Sequence, residues 1–276
     1  CAKVKVIIYT PHGHVFYGYF SRLLTGTIVV IEKILSHITD AIVGLTPDEC
    51  KEWLRFDVGK PDQYKAIPSG IDFTALEKDL SVNKEWRKVL GIPQDGILIG
   101  SVGRFIEIKG YGYLISAAGK VAAKNDKAYF LIAGDGPLVN EYRRMINLKK
   151  LEKRFFILPW QENAASIIKE FDIFVLPSLN EGMGRVLAEA MYLGKPVIGT
   201  RVGGVPSVIT GDVGMLVEPS SSDAISTAIG SLIKDPGRMK KYGENGRAKA
   251  IKDYSVQKMV EELDFLYKKL LETKRG

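Results

Sequence analysis

Over much of the chain, apolar residues come in short unbroken blocks rather than alternating with polar ones. From residue 96 onward, six such blocks occupy 97–102, 129–133, 155–158, 173–176, 197–200 and 214–217. Segments of helical periodicity lie between most of them, at 111–124, 138–148, 164–170 and 184–193. Strands that are apolar throughout are covered on both faces, and their alternation with helices predicts an α/β fold on a doubly wound parallel sheet. A shorter series comes first: a β-branched strand at 4–9, a helix at 28–38, a strand at 41–45 and a short strand at 64–68. Thr46, Pro47 and Glu49 predict a helix start, with Thr at the N-cap, Pro at the first position and Glu closing a capping box. The polar stretch 71–94 predicts a boundary between two units near residues 69–81. Met259, Val260, Leu263, Leu266, Tyr267 and Leu270 form one apolar stripe on a final helix at 256–271, and such a stripe needs a docking surface.

The 276 residues are 46% apolar, which excludes a disordered or low-complexity chain and allows about two domains. No run approaches the ~18 consecutive apolar residues of a spanning helix. The chain opens at Cys1 with neither an initiator Met nor a signal-peptide pattern, which reads as a boundary rather than a biological start. Two cysteines, Cys1 and Cys50, make neither a disulfide framework nor a four-ligand zinc site, so a reducing cytoplasm is expected. Cys50 itself reads as a small buried apolar residue on a helix. The net charge is +7, and residues 234–276 hold 12 basic against 7 acidic residues. Two readings of that stretch stay open, an anionic membrane surface and a solvated helix face. Its basic residues alternate with acidic ones and lack clustered aromatics, so nucleic acid is not an expected partner.

Ligands of open parallel sheets bind beyond the carboxyl ends of the strands, so the residues there matter most. Gly103-Arg104 follows the block at 97–102, with Lys109-Gly110 close behind, and two cations flanking a strand-to-helix turn suit a diphosphate. Gly134-Asp135-Gly136-Pro137 follows the next block; its glycines permit either close approach of a ligand or an ordinary tight turn. Pro159-Trp160 is either a wall for a planar base or packing. Beyond 173–176, Glu181 and Glu189 lie eight residues apart, about 12 Å if the interval is helical. The amides of Gly182, Met183 and Gly184 would open that helix as an anion site. Glu189 sits among Val186, Leu187, Ala190 and Met191, and is either a partnered carboxylate or a surface residue.

Several of these signatures occur together and in order. They are Gly103-Arg104 with Lys109-Gly110, Gly134-Asp135-Gly136-Pro137, and Val175-Leu176-Pro177-Ser178 running into Glu181 and Glu189. Gly194-Lys195-Pro196-Val197 and Gly203-Gly204-Val205-Pro206 follow. Over residues 67–271 the chain resembles glycosyltransferase family 4, the group 1 glycosyltransferases. The first 66 residues, including Thr10-Pro11-His12-Gly13-His14, resemble the second half of that family's N-terminal domain.

The resemblance implies a GT-B fold, two Rossmann-like doubly wound domains facing a cleft, with the N-terminal one incomplete. Residues 1–70 would be a partial acceptor-side domain, 71–254 the donor-binding domain, and 255–276 a helix crossing back to the first. It implies a retaining transferase moving sugar from a nucleotide-diphosphate donor, UDP-sugar preferred, to a lipid-linked or glycan acceptor. No metal or other cofactor is implied, and His12, His14 and His37 form no ligand set with the acidic residues. Arg104 and Lys109 would neutralise the leaving diphosphate, Glu181 would contact the sugar and Glu189 the ribose. Leu158 and Pro159 would lie near the base. Gly103, Gly134, Gly182, Met183, Gly184 and Val186 would complete the donor site. His12, or His14 in its place, would approach the sugar from the opposite domain.

Three departures stand out: Ser207 replaces the family's usual Glu, Met183 its usual Phe, and nothing matches its first strand and glycine-rich loop. A missing N-terminal segment, or a partner chain supplying it, is therefore expected. A non-catalytic nucleotide-binding module and a sugar-nucleotide epimerase on the same fold are the alternatives. The Arg104/Lys109 pair with Glu181 and Glu189 argues against the epimerase. The basic C-terminal stretch fits an enzyme peripheral to the inner face of the membrane.

Overall fold

The computed structural model describes residues 4–11, 21–80 and 85–274. Two all-parallel sheets organise the chain. The smaller has the order β1 (Ile8–Tyr9), β2 (Ala41–Gly44), β3 (Tyr64–Ala66), with α1 (Arg22–Ser36) and α2 (Pro47–Arg55) connecting its strands. The first strand is shorter than the predicted 4–9. Its ladder starts at Ile8 opposite Ala41, and the Asp40 carboxylate takes the Ile7 amide at 2.8 Å. The first helix begins earlier than predicted, capped by the Ser21 side chain on the Leu24 amide. It stops at Ser36, where the Gln63 side-chain amide donates to the carbonyls of Ser36 and Thr39 at 3.0 and 2.6 Å. At α2 the Thr46 hydroxyl accepts from the Glu49 amide at 3.1 Å, while the buried Glu49 carboxylate reaches one residue further back, to the Leu45 amide.

The stretch 71–94 is more than a polar boundary. It forms α3 (Phe73–Leu80) and the single turn α4 (Trp86–Val89), and Ile71, Leu76, Trp86 and Ile92 are buried in the main core. Its few apolar residues are outnumbered by polar ones and the helices are short, yet these four fill the base of the larger sheet. That sheet comprises β4 (Ile97–Val102), β5 (Ala128–Ala133), β6 (Phe155–Leu158), β7 (Ile173–Leu176), β8 (Val197–Thr200) and β9 (Gly214–Val217). Its helices are α5 (Tyr111–Ala122), α6 (Val139–Leu148), the single turn α7 (Ala165–Ile168), α8 (Arg185–Tyr192), the single turn α9 (Val205–Val208) and α10 (Ser222–Ile233). Two long helices, α11 (Pro236–Asp253) and α12 (Val256–Thr273), follow.

Successive strand residues enter opposite cores, as a pleated strand requires: Leu98, Leu131 and Phe174 on one face, Ile99, Phe130 and Ile173 on the other. The strand order is β6-β5-β4-β7-β8-β9. The chain builds outward from β4 in one direction and then, from β7, in the other, so a crevice opens at the carboxyl ends of β4 and β7. Two segments run between the sheets side by side. The Ile71 amide donates to Tyr254 at 2.8 Å and Ile71 accepts from the Val256 amide at 3.1 Å. A Cβ on Gly70 would lie 2.5 Å from the Val256 Cα, which leaves no room for a side chain at the crossing. Beyond it the apolar stripe of α12 lies on the small sheet: Leu266 is buried with Ala41, Val43 and Ile67, and Lys274 pairs with Asp40 at 2.7 Å.

Candidate active site

The loop after β4 passes Gly103 and Arg104, makes one 3-10 turn at Glu107–Lys109 and turns at Gly110 with φ +66°. At that left-handed φ a Cβ is strained, and it would also collide with the Pro177 carbonyl in the loop after β7. The Leu179 amide donates to the Ile108 carbonyl at 2.7 Å, so the two loops are stitched together across the crevice. The outcome is a short ion pair, Lys109 Nζ to Glu181 Oε2 at 2.6 Å, with both side chains more than four-fifths buried. The buried Ser178 hydroxyl donates to the same carboxylate oxygen at 3.2 Å. Arg104 stays exposed, with no partner for its guanidinium among the described residues.

Packing alone requires glycine in the Gly134 loop. A Cβ on Gly134 would collide with the Gly103 carbonyl, and one on Gly136 would lie 2.5 Å from the Phe105 carbonyl. The Phe105 amide donates to Asp135 at 2.7 Å and the Gly134 amide to Leu158 at 3.0 Å. These glycines therefore let the loops after β4, β5 and β6 nest together, which holds Arg104 at the crevice mouth.

Gly184, with φ +71°, precedes α8, so residues 181–184 are not helical and the 12 Å spacing of Glu181 and Glu189 does not apply. Only the second half of that interval rises along a helix. Among the described residues no group accepts from the amides of Gly182, Met183 or Gly184. Glu189, 21% exposed, is ion-paired one turn along with Arg185, Oε1 to Nε at 3.2 Å. The side chains of Leu158 and Met183 belong to the core and Val186 packs against it, so Leu158 and Met183 offer the crevice only backbone. Pro159 and Trp160 are exposed at the end of β6. His12 and His14 lie outside the described residues, and His37 sits at the end of α1 with Nδ1 2.7 Å from the Lys33 carbonyl. Among the described residues no three His, Cys, Asp or Glu side chains converge as metal ligands. Cys50 is buried in α2, and burial, with Glu49 beside it, pushes its thiol up to about 11.

The small sheet touches the back of this loop system. Gly204 donates to the Glu181 carbonyl at 3.1 Å, and a Cβ there would strike both the Gly182 carbonyl and the Thr46 hydroxyl of the small-sheet unit. Ser207 donates to Asp48 of α2 at 2.7 Å. Burial raises the Asp48 carboxyl, but the hydrogen bonds from Ser207 and Lys51 and the charges of Lys51 and Arg55 outweigh it, so its pKa lies below the ordinary value. A cavity of about 520 Å³ lies along this junction, bordered by Asp48, Arg55, Asn180 and Arg201.

The profile of the family described as glycosyl transferases group 1 matches residues 82–249. The chain belongs to that family. Among relatives, the UDP-Gal:alpha-D-GlcNAc-diphosphoundecaprenol alpha-1,3-galactosyltransferase of Escherichia coli is 26% identical over 273 residues, 96% of this chain and 70% of that protein. The GDP-mannose-dependent monoacylated alpha-(1-6)-phosphatidylinositol monomannoside mannosyltransferase of Corynebacterium glutamicum is 31% identical over 95% of this chain and 70% of its own length. Anabaena HepE, solved in complex with UDP and glucose, superposes with a TM-score of 0.84 at 21% identity, covering 96% of this chain and 72% of that one. The group 1 chain is thus a transferase of GT-B architecture, with its first sheet smaller than its second.

Three residues that bear on this site were given no role of their own in the sequence: Ser178, Arg185 and Thr200. Arg185 had a signal, since it lies four residues before Glu189 on one helix face. Ser178 had one as well, since it closes the quoted signature three residues before Glu181, whereas Thr200 had none because its contact with the Ser178 carbonyl forms only once β7 and β8 are neighbours. Much of the basic surplus in α11 and α12 is taken up in ion pairs, among them Lys249 with Asp253 at 3.0 Å and Lys268 with Asp264 at 2.7 Å. Among the described residues no helix is long and apolar enough to cross a membrane.

Proposed function

We propose that this chain is a retaining glycosyltransferase that takes a sugar from a UDP-sugar and delivers it to a lipid-linked or glycan acceptor. The observation that carries the reading is the Lys109–Glu181 pair at the β4/β7 crevice, flanked by the free guanidinium of Arg104 and the open amides ahead of α8. A cation beside a carboxylate matches the two halves of such a donor. Lys109 and Arg104 take the diphosphate and stabilise its charge as it departs, and the amides of Gly182, Met183 and Gly184 assist them. Glu181 accepts hydroxyls of the transferred sugar, and Glu189, steadied by Arg185, accepts those of the ribose. Backbone of Gly103, Gly134, Leu158 and Pro159 lines the nucleoside side, with Val186 beneath. His12 is proposed to face the sugar from the small-sheet unit, which places residues 1–70 on the acceptor side and 71–254 on the donor side.

In the transfer, the acceptor oxygen bonds to the anomeric carbon on the face the diphosphate leaves. The bond from that carbon to the β-phosphate oxygen breaks, the electron pair goes with UDP, and the acceptor proton passes to the departing phosphate oxygen. Two side-chain cations and helix-end amides supply the charge compensation that a divalent ion gives elsewhere, so the reaction is proposed to be metal-independent. UDP is favoured over GDP because UDP or UDP-Gal is named for HepE and the E. coli relative, although the C. glutamicum relative is named for GDP-mannose. Both named relatives act on lipid-linked acceptors, which supports a cytoplasmic enzyme working at a membrane surface.

Calorimetric titration with UDP, GDP and ADP, followed by hydrolysis of a panel of UDP-sugars, tests the reading. Selective UDP binding with release of sugar is the expected result. Absence of any nucleotide binding refutes it, and binding without turnover supports a silent nucleotide-binding module instead.

A further inference from the structure

Glu181 is held by two donors of different kinds. Lys109 is a charged donor that the proposed reading also assigns to the diphosphate, whereas Ser178 is a neutral donor fully enclosed in the loop after β7. A diphosphate has more negative charge than a single carboxylate and competes for the Lys109 ammonium. The Ser178 hydroxyl has no such competitor, because it is sealed away from the crevice. The backbone beneath it is braced as well. Thr200, at the end of β8 and 1% exposed, donates its hydroxyl to the Ser178 carbonyl at 2.5 Å. On its far side the same loop is pinned by the Leu179 amide to the Ile108 carbonyl.

We propose that Ser178 is the positioning residue of Glu181: when a donor diphosphate draws Lys109 away, the Ser178 hydroxyl, braced by Thr200, keeps the carboxylate turned toward the sugar. Ion pairing with Lys109 thus sets the resting position of Glu181, and Ser178 sets its working position. This rests on the function proposed above.

Ser178 is fully enclosed and is assigned no contact with diphosphate or nucleoside, so its loss is expected to separate turnover from binding. Ser178→Ala is expected to leave UDP affinity within about twofold of the parent chain and to lower kcat for UDP-sugar hydrolysis about tenfold, the cost of one hydrogen bond to a charged group. Thr200→Val, which keeps the shape and removes the hydroxyl, is expected to lower kcat in the same sense, and Thr200→Ser to restore it. The serine rescue separates positioning from packing, since the parent and Thr200→Ser share the hydroxyl that Thr200→Val lacks. It also keeps the test decisive if Ser178→Ala does not fold. Parental kcat in Ser178→Ala or Thr200→Val overturns the proposal, as does a rise in UDP dissociation constant matching the fall in kcat. A parent chain that binds neither UDP nor GDP overturns the functional reading and this proposal together, whereas UDP binding with unaltered variant turnover overturns only the positioning role.

Discussion

The six-stranded sheet carries a cluster of charges at each end, and the two are spent differently. At the amino end, Arg87 of α4 uses all three guanidinium nitrogens: on the Glu170 carbonyl at 3.1 and 2.9 Å, the Gly96 carbonyl at 2.7 Å and the Asp172 carboxylate at 2.6 Å. The same Asp172 oxygen accepts the Leu98 amide at 2.7 Å, and Lys195 donates to the Lys169 carbonyl at 2.6 Å. A cavity of about 560 Å³ opens beside these groups. At the carboxyl end the Lys109–Glu181 pair joins the loops after β4 and β7, while Arg104 and the amides of Gly182, Met183 and Gly184 find no acceptor among the described residues. Donors already committed to strand-end carbonyls tie α4 to the sheet, whereas donors left open can meet a ligand.

Substitutions at the two ends should fail in different ways. The largest effect is expected for Lys109→Ala, a loss of about 100-fold in kcat/KM for UDP-sugar hydrolysis, the range for removing one transition-state donor, accompanied by a fall in melting temperature because Glu181 is left buried without its cation. Arg87→Ala should lower stability and spare the site. It is expected to cost about 2 kcal/mol of stability, read as a fall of about 6 °C in melting temperature, with UDP affinity unaltered. Weakened UDP binding in Arg87→Ala at parental stability would erase the distinction drawn above. Arg104→Ala comes next, with UDP binding about tenfold weaker by calorimetry and an unshifted melting curve.

The smallest effect is a pH dependence at the amino end. Burial holds the Lys195 ammonium below its ordinary pKa, more than the nearby Asp172 raises it. Between the folded value and the unfolded value of about 10.4, the unfolded chain binds more protons, so stability rises with pH across that window. Urea titrations on the alkaline side should show this rise in the parent chain and a flatter profile in Lys195→Met. An equal slope in both would assign the dependence to another group.

The small sheet differs in another respect. Leu23, Val30, Ile34 and Ile38 are 85%, 56%, 65% and 62% exposed in and just beyond α1, whereas Leu98, Phe130, Ile173 and Val197 in the large sheet are fully buried. The large-sheet strands were legible for that reason: a strand covered on both faces must be apolar at every position, and such a block is visible in one dimension. The Thr46 cap and the α12 stripe were legible because each is set within one or two helical turns. Residues 4–9 misled because β-branched composition marks strand propensity, whereas pairing depends on where the partner begins. α3 and α4 were missed because their few apolar residues pack against the sheet rather than against one another.

The residue order alone dictated which segments become the buried strands of the large sheet, where the capped helix α2 starts, and which cations and carboxylates stand beyond strand ends. It left open what those groups touch. Lys109 and Glu181 are 72 positions apart and meet only because β4 and β7 are adjacent strands across the order reversal, with Gly110 admitting the Pro177 carbonyl. That the glycines at 134 and 136 also make room for the loop after β4 was visible only once that loop was folded beside them. Local periodicity and capping act through the chain itself, whereas contacts between loops exist only after the sheet has set their register.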